Sequence, residues 1–363
     1  MLEKQGRSCV LPLLSWAGGR PTPRPCHHRA KPLACLRRSA IAGPNHRCAQ
    51  GRLGGHFSLA RGVAPSNNAR MLPPQFETRQ TRTFDNQALT YQVTLGSGPW
   101  IVLANGLGAR STAWHHQITY LRDDYRFLMW DYRGLFGADS CPLPDDMHPF
   151  DVHARDLSAI LRAEAVERPI VAVWSLGMQV VLRAMRDHAL TPSHLIVING
   201  TFQPDAGAGV SVSKVRRRVT GLLERMDGLV ERIVHRAARS PEVLPWAKRL
   251  GFIGPTIDEE LFSEVVAEFA IVQARPYLRH LAALCTERST DLLASVDVPT
   301  LVLIGERDPV TPRQVAEPAA RRIPGAEIFV VRGATHFTAL EFPELVNLRI
   351  EKFLREHSAR PIG

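Results

Sequence analysis

The sequence contains no long apolar segment, since a run of 18 apolar residues occurs nowhere in its 363 residues. Because a transmembrane helix needs about 20 predominantly apolar residues, no such helix is expected. No internal repeat is visible either. This absence excludes an array of repeated structural units.

Cysteine is scarce in most of the chain: four of the six cysteines precede residue 50, and only Cys141 and Cys285 come later. Two cysteines are too few for a disulfide framework, and their separation is not that of metal ligands. The sequence therefore predicts a protein without a metal centre, in the reducing environment of a cytoplasm.

Acidic residues are nearly absent from residues 1–70, where Glu3 is the single acid beside 12 lysines and arginines. The rest of the chain has 33 basic and 34 acidic residues, so the formal net charge of +10 belongs entirely to the first 70 residues. Because the remaining chain has almost no net charge, its composition does not indicate a nucleic-acid partner.

The basic segment 1–70 is rich in Pro, Gly, Ser and Arg and shows neither helical nor alternating apolar periodicity. Such a composition predicts a segment that does not pack. Met71 could begin an ordinary enzyme, so the segment is interpreted as upstream sequence. A secretion signal and an organelle transit peptide are the alternatives, and either would replace the cytoplasmic location.

From residue 80 onward, short apolar runs alternate with segments of helical periodicity. Continuously apolar runs are typical of strands buried on both faces of a parallel sheet. The alternation predicts an α/β fold with a mostly parallel central sheet flanked by helices. Strands are expected at 89–94, 100–104, 125–130, 170–174, 195–198, 300–304 and 328–331.

Residues 203–293 interrupt this alternation because they contain no convincing strand. Helices are expected there instead, for example at 215–236 and 258–275. An inserted segment of this size at the carboxyl ends of the strands would form a helical cap over a ligand crevice. The predicted organisation is a core in two parts, 71–202 and 294–363, with the cap between them.

Ser175 stands between an apolar run at 169–174 and a helical run at 178–185. A serine at such a strand-to-helix turn is typical of a nucleophile elbow. The sharp turn exposes the hydroxyl, and the helix N-terminus points at negative charge that develops on a substrate. A serine hydroxyl is a weak nucleophile, so the chain must also supply a base and oxyanion donors.

Candidates for these partners follow other predicted strands. Asp308 comes just after one strand, and His336 comes after the last one. The first buried strand ends in a glycine-rich turn, where the backbone N–H of Leu107 is expected to form an oxyanion hole with that of Leu176. The chain order serine, acid, histidine is the order found in α/β-hydrolases.

On these residues, the chain from 76 to 356 resembles an α/β-hydrolase of the esterase, lactonase and epoxide-hydrolase-like group. The resemblance implies that Asp131 and Arg133 hold a turn and take no part in the chemistry. It also makes Asp205 an alternative to Asp308, because some members supply the acid after the preceding strand. The matching segments are the turn 105–108, Trp114 with Leu121, the run 131–134, the elbow around Ser175, Gly305 with Asp308, and His336.

Three positions depart from the usual pattern of that family. Asn105 stands where histidine is commonest, a change that should leave the backbone donor of Leu107 in place. Val173 and Met178 stand near the elbow where small residues are usual. Both are expected to add bulk where strand and helix approach closely.

The predicted function is that of a serine hydrolase acting on a small to medium ester, lactone or thioester. His336 would deprotonate Ser175, and Asp308 would orient His336 and stabilise its imidazolium. No metal or organic cofactor is implied. The expected partner is a small-molecule acyl substrate, and the oligomeric state stays open.

Other activities remain alternatives. A carbon–carbon bond hydrolase, an acyltransferase and a cofactor-free haloperoxidase would share the same triad. Epoxide hydrolases and haloalkane dehalogenases of this group use aspartate at the elbow, so Ser175 argues against both activities. A non-catalytic member of the fold that binds a small molecule or a protein partner is the alternative of another class.

Overall fold

The computed structural model describes residues 75–136, 141–187, 190–202, 236, 240, 242–284 and 290–358. The basic segment 1–70, Asp205, Cys285 and nearly all of the helix expected at 215–236 lie outside the described residues.

Eight strands form the central sheet of the described chain. They are β1 (Phe76–Arg82), β2 (Ala88–Thr94), β3 (Trp100–Ala104), β4 (Arg126–Trp130), β5 (Ile170–Trp174), β6 (His194–Ile198), β7 (Thr300–Gly305) and β8 (Glu327–Val331). In the sheet order β1-β2-β4-β3-β5-β6-β7-β8, β2 is antiparallel to β1 and β4, and the other neighbours are parallel. The predicted α/β fold with a mostly parallel sheet is thus confirmed.

Helices connect and cover these strands. They are α1 (His115–Leu121), α2 (Pro149–Ala163), α3 (Gly177–Arg186), α4 (Val243–Arg249), α5 (Glu259–Phe269), α6 (Ala274–Leu284), α7 (Arg313–Ala320), α8 (Thr338–Glu341) and α9 (Pro343–Ser358). Within the described ranges, no helix has both the length and the apolar character that crossing a bilayer requires.

The sheet lies between two apolar layers because successive strand side chains point to opposite faces. In β5, Val171 and Val173 belong to one layer, and Ile170 and Ala172 belong to the other. Apolar residues of α2 and α3 pack in the first layer, while those of α1 and α9 pack in the second. This burial on both faces is the reason that the central strands are continuously apolar, and it makes the sheet a firm support for the loops at its edge.

Two elements differ from the prediction. Strand β1 was not predicted from the sequence. Its residues are half-buried or exposed at the edge of the sheet, where its pairing with β2 stabilises it. The helix expected at 258–275 is interrupted after α5. There Val272 pairs with Phe136, and the backbone N–H of Gln273 donates to Leu135.

Helices α4, α5 and α6 occupy the part of the chain where the cap was predicted, between β6 and β7. The turn after β3 packs against two of them. A Cβ added to Gly108, whose φ is +77°, would lie 2.8 Å from a ring carbon of Phe269 and 3.4 Å from one of Tyr277. The cap boundaries at 203 and 293 remain a prediction.

Two buried histidines join α2 to α6. The Nε2 atoms of His153 and His280 are 2.6 Å apart, and the rings are stacked. His280 Nδ1 lies 2.6 Å from the carbonyl oxygen of Pro276, so it donates there and leaves Nε2 to accept from His153. Burial favours this neutral arrangement, because it lowers the pKa of His280 to about 3 and also lowers that of His153.

Candidate active site

Ser175 lies in the turn between β5 and α3 with a φ of +52°. Few residues other than glycine adopt this left-handed conformation, and it persists only where the surroundings hold it. The backbone N–H of Ser175 donates to Ile198, and its carbonyl oxygen accepts from the N–H groups of Met178 and Thr201, each at 3.2 Å. These bonds fix the strained turn that the sequence predicts as a nucleophile elbow.

The elbow also depends on a close approach between α3 and β3. A Cβ added to Gly177 would lie 2.2 Å from the carbonyl oxygen of Ala104, so only glycine fits at this position. Val173 and Met178, which were expected to add bulk here, are both fully buried in one apolar layer of the core. The side chains of Val173 and Met178 therefore fill space in the core.

Asp308 follows β7 and is almost completely buried, with an exposed fraction of 4%. Its Oδ2 accepts from His336 Nδ1 at 2.8 Å, from Asn199 Nδ2 at 2.6 Å and from Thr311 Oγ1 at 2.5 Å. Its Oδ1 accepts from the backbone N–H groups of Val310 and Thr311 at 2.7 and 2.8 Å. Burial alone would raise the pKa of Asp308, but the His336 and Thr311 interactions outweigh it and lower the pKa to about 2.

His336 follows β8 and directs one ring edge at this carboxylate. Because ionised Asp308 can only accept, His336 Nδ1 carries the proton, and Nε2 of the neutral ring is left with a lone pair. The His336 ring lies beside the elbow, with its centroid 5.5 Å from the Trp174 ring. Among the described residues no hydrogen bond joins Ser175 Oγ to His336, and such bonds often tighten only when substrate binds.

The turn that carries Leu107 is held by the residue at which it begins. Asn105 Oδ1 accepts from Trp114 Nε1 at 2.8 Å, and the Asn105 carbonyl oxygen accepts from the Tyr132 hydroxyl at 2.9 Å. Within the described part of the chain, neither Leu107 N–H nor Leu176 N–H donates to another protein group. Neither N–H is therefore committed to a protein acceptor in these ranges.

Comparison with known proteins places this geometry in a family. The model of the alpha/beta hydrolase family matches residues 101–348, more than half of the chain. The chain belongs to the alpha/beta hydrolase family. The family, the fold and the assignment as an enzyme of this family, all predicted from the sequence, are thus confirmed.

Relatives of this hydrolase include enzymes that act on esters and lactones. The 3-oxoadipate enol-lactonase 2 of Acinetobacter baylyi is 24% identical over 78% of this chain and 98% of that protein. A pimeloyl-acyl-carrier-protein methyl ester esterase of Vibrio vulnificus is 25% identical over 69% of this chain and 92% of that protein. The structure of a thermophilic esterase from Thermogutta terrifontis, solved with malate bound, is similar with a TM-score of 0.58 and 26% identity, over 77% of this chain and 99% of that one.

Two residues at the site of the hydrolase were not identified from the sequence. Asn199, which directly follows β6 with a φ of +46°, donates from Nδ2 to Asp308 and to the carbonyl oxygen of Thr335. Thr311 donates to Asp308 from both its hydroxyl and its backbone. The position of Asn199 at the end of a buried strand was a usable signal, since the carboxyl ends of parallel strands share one edge. The rival acid Asp205 lies outside the described residues.

The two charged residues after β4 make ion pairs with other side chains of the described chain. Arg133 is buried and pairs with Asp156 at 2.5 Å and with Asp85 at 2.8 Å. Asp131 pairs with Arg110 at 2.8 Å. These contacts agree with the structural role that the family resemblance implies for Asp131 and Arg133.

An apolar pocket lies next to the elbow and to the segment after His336. Its walls carry no charged side chain, and its volume of about 10 Å³ holds no more than about one water. Among the described residues there is no cluster of three or more His, Cys, Asp or Glu side chains that could hold a metal ion. The pocket is lined by Ala113, Trp114, Trp174, Ile198, Phe337, Ala339 and Leu340.

Proposed function

We propose that this hydrolase cleaves a small to medium carboxylic ester, lactone or thioester through an acyl-enzyme formed on Ser175. The observation that carries the proposal is the bond of 2.8 Å between His336 Nδ1 and buried Asp308, beside a strained serine elbow. This bond leaves Nε2 of His336 to act as the base. The His336 ring lies beside Trp174, the residue that precedes the nucleophile. The esterase and lactonase relatives support ester-type bonds as the target.

The reaction follows from the protonation states of these groups. His336 Nε2 takes the proton of Ser175 Oγ, and the oxygen attacks the carbonyl carbon of the substrate. The N–H groups of Leu107 and Leu176 stabilise the oxyanion, and the N-terminus of α3 adds a favourable field. His336 then protonates the leaving group, and water hydrolyses the acyl-enzyme with His336 again as the base.

Asp308 remains ionised through this cycle. With its pKa at about 2, it is a carboxylate at any pH at which the protein works, and its charge stabilises the imidazolium that forms on His336. The enol-lactonase and methyl ester esterase relatives support an ester-type acyl group as the part of the substrate that Ser175 takes up. The partner that we propose is therefore a small-molecule acyl substrate.

A fluorophosphonate probe together with 4-nitrophenyl esters tests the function. The parent protein should be labelled once, at Ser175, and should hydrolyse a short-chain ester. Ser175→Ala should lose both properties, while Ser295→Ala should keep them, because Ser295 is exposed and its hydroxyl donates to the carbonyl oxygen of Leu292 in its own turn. Labelling that persists in Ser175→Ala would refute the assignment.

The binding-protein alternative predicts a different result in the same experiment. A parent protein that is neither labelled nor active on any ester of a chain-length series would favour it. The strained φ of Ser175 argues for an enzyme, since strain of this kind clusters at functional sites.

A further inference from the structure

Trp174 is the last residue of β5 and directly precedes Ser175. Its side chain is half-buried, and its Nε1–H donates to the carbonyl oxygen of His336 at 3.0 Å. This bond joins residues that lie 162 positions apart in the sequence. It therefore connects the strand that ends at the nucleophile to the backbone of the base.

The indole ring of Trp174 makes three further contacts around the site. Its centroid lies 5.5 Å from that of the His336 ring and 5.4 Å from that of the Phe337 ring. On another side it meets the oxyanion turn, because a Cβ added to Gly106 would lie 2.8 Å from Trp174 Cε3. The Trp174 side chain thus contacts both His336 and the oxyanion turn, and Trp174 is bonded directly to Ser175 along the chain.

His336 is held at two points, its Nδ1 atom and its backbone carbonyl oxygen. Asp308 holds the Nδ1 edge of the ring, and Trp174 holds the backbone carbonyl of the same residue. We propose that Trp174 is a positioning residue, which sets the distance between His336 Nε2 and Ser175 Oγ through its indole N–H. This inference rests on the serine-hydrolase function proposed above.

Trp174→Phe tests the role, because phenylalanine keeps an aromatic ring against Phe337 and Gly106 but removes the N–H donor. The second-order rate constant of fluorophosphonate labelling and kcat for 4-nitrophenyl acetate are each expected to fall by about 10- to 100-fold, because a misplacement of about 1 Å can cost about 100-fold. KM should stay within about twofold, since a base that is misplaced acts on the chemical step and not on ester binding. Trp174→Met, which also has no side-chain donor, should show the same loss and is the second variant if Trp174→Phe does not fold.

Trp100→Phe is the matched control. Trp100 is half-buried like Trp174, begins β3 at the end of the strand opposite the oxyanion turn, and has Arg126 Cζ 4.1 Å from its ring centroid. This substitution should lower Tm about as much as Trp174→Phe, because it also removes packed atoms, while the labelling rate stays at the parent value.

The outcomes separate this inference from the proposed function. Labelling of Trp174→Phe at the parent rate, with only Tm reduced, would overturn the positioning role and leave the serine hydrolase intact. A raised KM with both kcat and the labelling rate unchanged would also overturn it, since Trp174 would then act on substrate binding alone. A parent protein that is not labelled at Ser175 would overturn the function and this inference together.

Discussion

Replacing Asp308 by asparagine removes the charge that faces His336 and places an amide NH2 among five hydrogen-bond donors. If the amide nitrogen takes the place of Oδ2, it meets His336 Nδ1, Asn199 Nδ2 and the Thr311 hydroxyl. If it takes the place of Oδ1, it meets the backbone N–H groups of Val310 and Thr311. Both orientations set a donor against donors in a buried site, so Asp308→Asn should damage both activity and stability.

The size of each loss follows from these contacts. Leaving about two buried donors unpaired costs about 1 to 3 kcal/mol each, so the free energy of unfolding should fall by about 2 to 6 kcal/mol. The lowered pKa of Asp308 gives a similar size, since the change from 3.8 to about 2 corresponds to about 2 kcal/mol. The value of kcat should fall by about 10³ to 10⁴, because the amide favours the wrong histidine tautomer and no longer stabilises the imidazolium.

Steady-state hydrolysis of 4-nitrophenyl acetate and urea unfolding measure the two losses separately. Asp205→Asn, at the rival acid position, is the comparison and should lose far less kcat. A larger loss in Asp205→Asn than in Asp308→Asn would place the acid after β6. An Asp308→Asn protein that is less stable but keeps the parent kcat would show that the Asp308 carboxylate only holds the loop.

Three further predictions concern the elbow, the triad and the buried histidines. Ser175→Ala and His336→Ala should each abolish most activity, and the double variant should be scarcely worse, because the two residues act as one unit; additive losses in kcat would contradict this. Gly177→Ala should lower Tm and kcat together, since its Cβ would lie 2.2 Å from Ala104 O, and a crystal structure with an unmoved elbow would disprove the clash. The pKa of His280 is lowered to about 3, so the unfolded chain takes up its proton near pH 6.5 and the folded state does not. The free energy of unfolding is therefore highest above about pH 6.5 and should fall by up to about 1.4 kcal/mol per pH unit below it. Urea unfolding at two pH values measures this fall, which should be smaller in His280→Gln than in the parent protein.

Much of the fold and of the candidate site could be predicted because the signals are local. The apolar runs of β3, β5, β6 and β7 reflect burial on both faces, which shows in consecutive residues. Ser175, Asp308 and His336 could be placed together because each follows a strand of a parallel sheet, and the carboxyl ends of such strands share one edge. The chain order of the three then indicated the family.

The tertiary structure decided what depends on contacts between distant residues. The edge strand β1 is stabilised by its pairing with β2, so its own sequence carried little signal. The roles of Asn199 and Trp174 depend on the folded sheet. It brings Asn199 to Asp308, 109 positions away, and Trp174 to the backbone of His336, 162 positions away. Hydrogen bonds over such separations form only after the chain has folded. The sequence alone therefore predicted the residues of the proposed chemistry, and the packed structure decided which residues hold them in place.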